Sequence, residues 1–86
     1  MKLIKISAIW CPSCLLMEKV WHQLQKELSD IEFISYDYDL DEEVESYHVG
    51  EVLPVIILED NNQELVRFIG EKTVGEIIEG IKKYEK

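Results

Sequence analysis

Val55-Ile56-Ile57-Leu58 is an unbroken aliphatic run of strand length, with Pro54 immediately before it. A strand exposed on one face would alternate apolar and polar residues. A strand that is apolar at every position must be covered on both faces. In a chain of 86 residues that requirement leaves room for one sheet, one core and one domain, spanning residues 1–86. Apolar residues make up 47% of the chain and charged residues 31%, ordinary globular usage, so the sequence can supply such a core.

The rest of the pattern says what covers the sheet. Residues 2–7 are β-rich and read as a short buried strand. Pro12 suits the first position of a helix. Leu16, Met17, Val20, Trp21, Leu24 and Leu28 then recur at helical spacing, predicting one helix to about Ser29. Residues 31–36 form a second strand. The acidic stretch 37–45 holds a loop and a helix start, with Asp41 as cap, Glu42 and Glu43 at the positive end of the dipole, and Gly50 as the stop. Asp60-Asn61-Asn62 is turn chemistry, so residues 65–69 return as a hairpin partner. Thr73-Val74-Gly75-Glu76 has capping-box form. Val74, Ile77, Ile78 and Ile81 give the closing helix its apolar face, despite Gly75 and Gly80, each unfavourable by about 1 kcal/mol relative to Ala. The order β-α-β-α-β-β-α predicts an α/β fold. Its first two strands are parallel through a right-handed crossover, its last two form an antiparallel hairpin, and helices cover both faces of a mixed four-stranded sheet.

Nine Lys and Arg against 18 Asp and Glu leave a net charge of −9. That balance repels a phosphate backbone and an anionic bilayer, so no nucleic acid and no membrane partner is expected. The uncharged stretch at residues 7–17 is far short of the ~20 residues a bilayer demands. The N-terminal residues show no signal-peptide core and carry Lys5 in their middle, so a cytoplasmic location is expected.

The chain has two cysteines, Cys11 and Cys14. A bridge between them would close a very small loop and remove little unfolded-chain entropy, so stability is a weak reason for the pair. Their spacing at a strand-to-helix junction puts both sulfurs on one side of the helix, within reach of a disulfide. Cys11 falls at the helix N-terminus, where free N–H groups and the dipole favour a thiolate, and thiolate is the form that attacks disulfides. Cys14, one turn inside, is expected to be more buried and less acidic. Cys11 would attack and Cys14 would resolve. Three plainer readings stand beside this one: half of a zinc site, a pair of inert core thiols, and a structural disulfide. For zinc, His22 and His48 are 26 residues apart rather than closely spaced, so no metal ligand is assigned. The acidic cluster Asp37, Asp39, Asp41, Glu42, Glu43 and Glu45 lacks the glycine and spacing of a calcium loop and reads as a solvated face.

Trp10-Cys11-Pro12-Ser13-Cys14 resembles the Trp-Cys-x-x-Cys centre of the thioredoxin superfamily. Asp37 to Asp41 resembles its acidic turn, Leu53-Pro54-Val55 its hydrophobic residue and cis-proline, and Phe68-Ile69-Gly70 the strand and glycine before its last helix. The resemblance covers about residues 3–85 and is to the minimal core, without the extra N-terminal strand and helix of full-length thioredoxins. It implies a thioredoxin-like fold with strand order 2-1-3-4 and a thiol–disulfide oxidoreductase needing no cofactor beyond its own dithiol. Trp10, Pro12, Ser13, Leu53, Pro54 and Gly70 would shape the site and a peptide-docking groove. It also implies a cis Leu53–Pro54 bond, disulfide-containing protein substrates, and a reductase as electron donor to a monomeric protein. The alternative is a non-catalytic binding module whose dithiol is incidental or binds metal. Two departures stand out. The family's buried acid, six residues before the first cysteine, is Lys5 here, whose amine is expected to snorkel to solvent, with a role on a thiolate or a proton as the sharper possibility. The stretch Gly70-Glu71-Lys72-Thr73 lacks the second glycine and the acid of a glutathione grip, which counts against glutathione.

Overall fold

A computed structural model of the chain describes residues 1–84. Glu85 and Lys86, the end of the expected domain and of the resemblance, lie outside the described residues. Four strands form one sheet: β1 (Lys2–Ser7), β2 (Glu32–Asp37), β3 (Val55–Asp60) and β4 (Gln63–Ile69). Their order is β2-β1-β3-β4, with β1 parallel to β2 and β3 antiparallel to β4, as expected; β1 and β3 also pair antiparallel. The aliphatic run makes up the first four residues of β3, which lies between β1 and β4, and Val55 through Leu58 are all buried.

Alternation along β1 and β3 divides the core in two. Leu3, Ile56 and Leu58 face α2 (Glu18–Glu27) and α3 (Val74–Lys82), packing with Trp21, Leu24, Ile77 and Ile81. Ile4, Ile6, Val55 and Ile57 face the other way, joining Ala8, Cys11, Cys14, Val44 and Leu53. On the α2–α3 face, Trp21 meets Phe33 edge-on at 5.0 Å. Gly80 is not an idle cost there. A Cβ added to it would lie 2.6 Å from Phe68 Cζ, so its bare backbone lets α3 close onto β4. Thr73 caps α3 as its sequence predicts, its Oγ1 accepting from the Glu76 N–H at 3.1 Å.

Several boundaries differ from expectation. The first predicted helix is divided into α1 (Pro12–Leu16) and α2. At the junction Met17 has ψ −6°, while its N–H still bonds to Ser13 and its C=O to Trp21. Ile31 precedes β2 rather than starting it, because its N–H is tied back to the Leu28 carbonyl. The helix expected after Asp41 is a 3₁₀ helix, Glu42–Tyr47, and Gly50 does not stop it. His48 does, in the left-handed region at φ 52°. Arg67 on β4 secures that end, donating to the Tyr47 carbonyl at 2.6 Å. The Asp41 side chain makes no cap and instead accepts from the Asp37 N–H at 2.6 Å. The hairpin turn is carried by Asn61 and Asn62, both at positive φ, as a two-residue turn of matching twist requires. Among the described residues, no helix is long and apolar enough to cross a membrane.

Candidate active site

The loop after β1 delivers the two cysteines. Cys11 has an extended backbone, φ −95° and ψ 113°, and is the N-cap of α1; Pro12 follows at a position where its missing N–H is not needed. The Cys11 N–H is held by the Ala8 carbonyl at 3.2 Å. This cap conformation turns the Cys11 side chain back over the first helical turn. There Cys11 Sγ accepts the Cys14 backbone N–H at 3.2 Å. An Ncap side chain normally accepts such a bond through oxygen; here a sulfur takes the position.

Across from the cysteines lies the loop that enters β3. The Leu53–Pro54 peptide is cis, as the resemblance implied. The Cys11 thiol points at the Leu53 carbonyl, 3.7 Å away. Gly70, at φ +82°, ties its N–H to the Pro54 carbonyl at 2.9 Å, so the end of β4 holds the proline loop in place. A side chain at Gly70 would be strained at that φ and would meet Val52 at 3.5 Å. The sequence-predicted residues are thus brought together. Cys11, Cys14, Leu53 and Pro54 are buried, Ser13 and Gly70 half-buried, and Pro12 and Trp10 exposed.

The two thiols are similarly enclosed, at 6% exposure for Cys11 and 4% for Cys14, so the expected contrast in burial is slight. Their surroundings differ more. Burial, and then the hydrogen bond with the Cys11 side chain, push the Cys14 thiol up to about 11. A backbone hydrogen bond from Ala8 and the charge of Lys5 pull it back. Cys14 therefore ionises reluctantly, in line with its assigned place inside the helix.

Trp10 is 58% exposed, which sets aside simple core packing as its purpose. Its indole donates to Asp39 Oδ2 at 2.6 Å, and its ring meets Tyr38 edge-on at 6.3 Å. The sequence places Asp39 on a solvated face; in the structure it also orients this tryptophan. The neighbouring acids also turn inward on the backbone, with Asp37 Oδ1 accepting from the Asp39 and Leu40 N–H groups. Tyr38, Asp39, Asp41, Glu42 and His48 line a surface hollow of about 440 Å³ beside Trp10. Ile9, Val52 and Ile69 are further exposed apolar side chains, each preceding a site residue in sequence.

Lys5 corrects an expectation. Its amine does not reach solvent: the residue is 5% exposed. Nζ lies 3.0 Å from Glu18 Oε1 and 5.1 Å from the centre of the Trp21 ring. The sheet is covered there by α2, which supplies the counter-charge. Glu18 was missed in the sequence because it reads as an ordinary first-turn acid; its partner is on a strand thirteen residues earlier. His22, weighed as a zinc ligand, is exposed on α2 with Nε2 3.5 Å from the same Glu18. Among the described residues, no group of three or more His, Cys, Asp or Glu side chains is placed to hold a metal ion.

Comparison with known proteins agrees with this geometry. The family model described as Thioredoxin matches residues 1–83. A thioredoxin of Ophiophagus hannah is 28% identical over 94% of this chain and 76% of its own length. Thioredoxin H2-1 of Oryza sativa subsp. japonica is 31% identical over 78% of this chain; the match spans only 49% of that longer protein. The crystal structure of thioredoxin NaTrxh from Nicotiana alata superposes with a TM-score of 0.88 at 26% identity, covering 99% of this chain and 73% of that one. With the strand order, the capped cysteine pair and the cis-proline loop opposite it, the family match over nearly the whole chain leads to one assignment: this protein belongs to the thioredoxin family.

Proposed function

We propose that this protein is a thiol–disulfide oxidoreductase that reduces protein disulfides in the cytoplasm. The observation that carries the reading is the Cys14 N–H placed 3.2 Å from Cys11 Sγ at a helix N-terminus. A donor there stabilises negative charge on the sulfur that attacks. The Cys11 thiolate attacks one sulfur of a substrate disulfide, and the other substrate sulfur leaves as a thiol. Cys14 then attacks Cys11 Sγ, forming the Cys11–Cys14 bond and releasing the second substrate sulfur, which takes up the proton Cys14 has lost. The reaction requires no metal or organic group, since both electrons come from the dithiol.

Trp10, Pro12, Ser13, Leu53, Pro54 and Gly70 form the docking surface. The exposed indole and the backbone around Leu53 offer an extended peptide an apolar face and hydrogen-bonding groups beside the sulfur. The oxidised protein is returned to the dithiol by a reductase, and the protein acts as a monomer. The net charge of −9 supports protein rather than nucleic-acid or membrane partners.

Insulin reduction followed by turbidity tests the activity. Wild-type protein with a dithiol reductant is expected to accelerate precipitation, and Cys11→Ser to abolish the acceleration. A Cys11→Ser variant as active as wild type, or an inactive wild type that binds zinc one-to-one, contradicts the reading and supports a binding module.

A further inference from the structure

The loop between the 3₁₀ helix and β3, residues 48–54, carries the Leu53 carbonyl that faces Cys11. Among the described residues, the backbone of residues 49–53 joins no backbone–backbone hydrogen bond. The place of this loop is therefore set by what packs beneath it and by what holds its ends. Val49 and Leu53 pack with Cys11 and Cys14. Both ends are held by β4. At one end the Gly70 N–H bonds to the Pro54 carbonyl at 2.9 Å. At the other, Arg67 donates to the Tyr47 carbonyl through Nη2 at 2.6 Å and to the His48 carbonyl through Nη1 at 3.5 Å. Carbonyls at a helix end have no donor within the helix, so an outside donor is needed there.

The strand β4 is shaped to aim this arginine. Arg67 stands opposite Ile57, which places it on the dithiol face. In a regular strand Glu64, three residues earlier, would point to the other face. Here Leu58 and Glu59 stand opposite Val66 and Glu64, so Leu65 is an extra residue with no partner on β3. The bulge brings Glu64 to the same side as Arg67. Its two oxygens then take Nε at 2.9 Å and Nη2 at 2.7 Å. A planar guanidinium gripped along one edge is fixed in direction, and the rest of its donors meet the loop. Stability explains the arrangement poorly, since an ion pair this near the surface is worth little.

We propose that Arg67, gripped by Glu64, is a positioning residue for substrate docking: it fixes the start of the 48–54 loop so that the Leu53 backbone stands where an extended peptide pairs with it beside Cys11. The inference rests on the exchange reaction proposed above and assigns the residue that governs capture of protein substrates. A small disulfide reaches Cys11 without lying along the loop and does not depend on Arg67.

Two substrates separate these roles: insulin in steady state, and the aryl disulfide 5,5′-dithiobis(2-nitrobenzoate) in stopped flow. Arg67→Met keeps the apolar stem and removes every donor. It is expected to raise KM for insulin about fivefold, as loss of a hydrogen bond would. Its kcat should stay within about twofold, since docking and not chemistry is changed. Its reaction with the aryl disulfide should also stay within about twofold of wild type. Glu64→Gln loosens the grip and leaves the arginine in place, so KM for insulin is expected to rise about twofold. Arg67→Lys, with a single amine to offer the carbonyls, is expected to fall between wild type and Arg67→Met. Circular dichroism identifies any variant that does not fold; if Arg67→Met is one, Glu64→Gln and Arg67→Lys decide. An insulin KM unchanged in the folded variants, or an equal loss of rate towards the aryl disulfide, overturns the role of Arg67 while leaving the exchange reaction intact. A wild type that reduces neither substrate overturns the exchange reaction, and the role of Arg67 with it.

Discussion

The two faces of the sheet are built from the same strands and are covered in opposite ways. One carries α2 and α3, two regular helices whose Trp21, Leu24, Ile77 and Ile81 close over Leu3, Ile56 and Leu58. The other carries a 3₁₀ helix, a proline loop, half-buried tyrosines and the dithiol. The first face is repetitive and apolar apart from Lys5. The second is irregular because each of its parts must present something: a sulfur, a carbonyl or an indole. Short loops with fixed hydrogen bonds do that better than a helix stripe. Stability is therefore concentrated on one face and chemistry on the other.

Substitutions on each face can break this division. Ile77, on the inner face of α3, is fully buried, and Ile77→Ala is expected to lower unfolding stability by about 2–5 kcal/mol in denaturant titrations. The rate of disulfide reduction by the protein that remains folded should hardly change. A large loss of rate with little loss of stability would show that the faces are not separate.

The dithiol face should instead show itself through pH. The Cys14 thiol, with a reference value of 9.0, stands at about 11 in the folded protein. Between those values the unfolded chain has lost a proton that the folded chain retains. Stability that is complete below about 9 is therefore lost as pH rises towards 11, by about 2–3 kcal/mol. Denaturant midpoints of the reduced protein across this window check the sign. Cys14→Ala should remove that part of the slope, whereas Ile77→Ala should keep it.

A smaller effect sharpens the comparison further. Thr73→Ala removes the α3 cap and is expected to cost about 1 kcal/mol, with no change in pH slope or in reduction rate.

The same division decides what could be read in the sequence. The aliphatic run of β3, the α3 cap and the cysteine pair are local signals, and each was legible. Asn61 and Asn62 likewise announced their turn. What escaped reading depends on partners distant in the chain. His48 ends the 3₁₀ helix with help from Arg67, about twenty residues away. Asp39 looks like one acid in a charged run until Trp10, 29 residues away, is placed against it. Lys5 looks like a lysine in search of solvent until α2 lays Glu18 over it. Gly80 reads as a defect until Phe68 is seen to occupy the space its side chain would need. Nothing in the sequence marks the break at Met17; no proline or glycine stands there.

The central claim is the division of labour between Cys11 and Cys14. Trapping tests it most directly. Cys14→Ser, incubated with a disulfide-containing protein, should accumulate a stable mixed disulfide, and peptide mass spectrometry should place the link on Cys11. Wild-type protein should show no such accumulation. Failure of Cys14→Ser to form an adduct, or an equal yield of adduct on Cys14 in the reciprocal Cys11→Ser variant, would contradict the account.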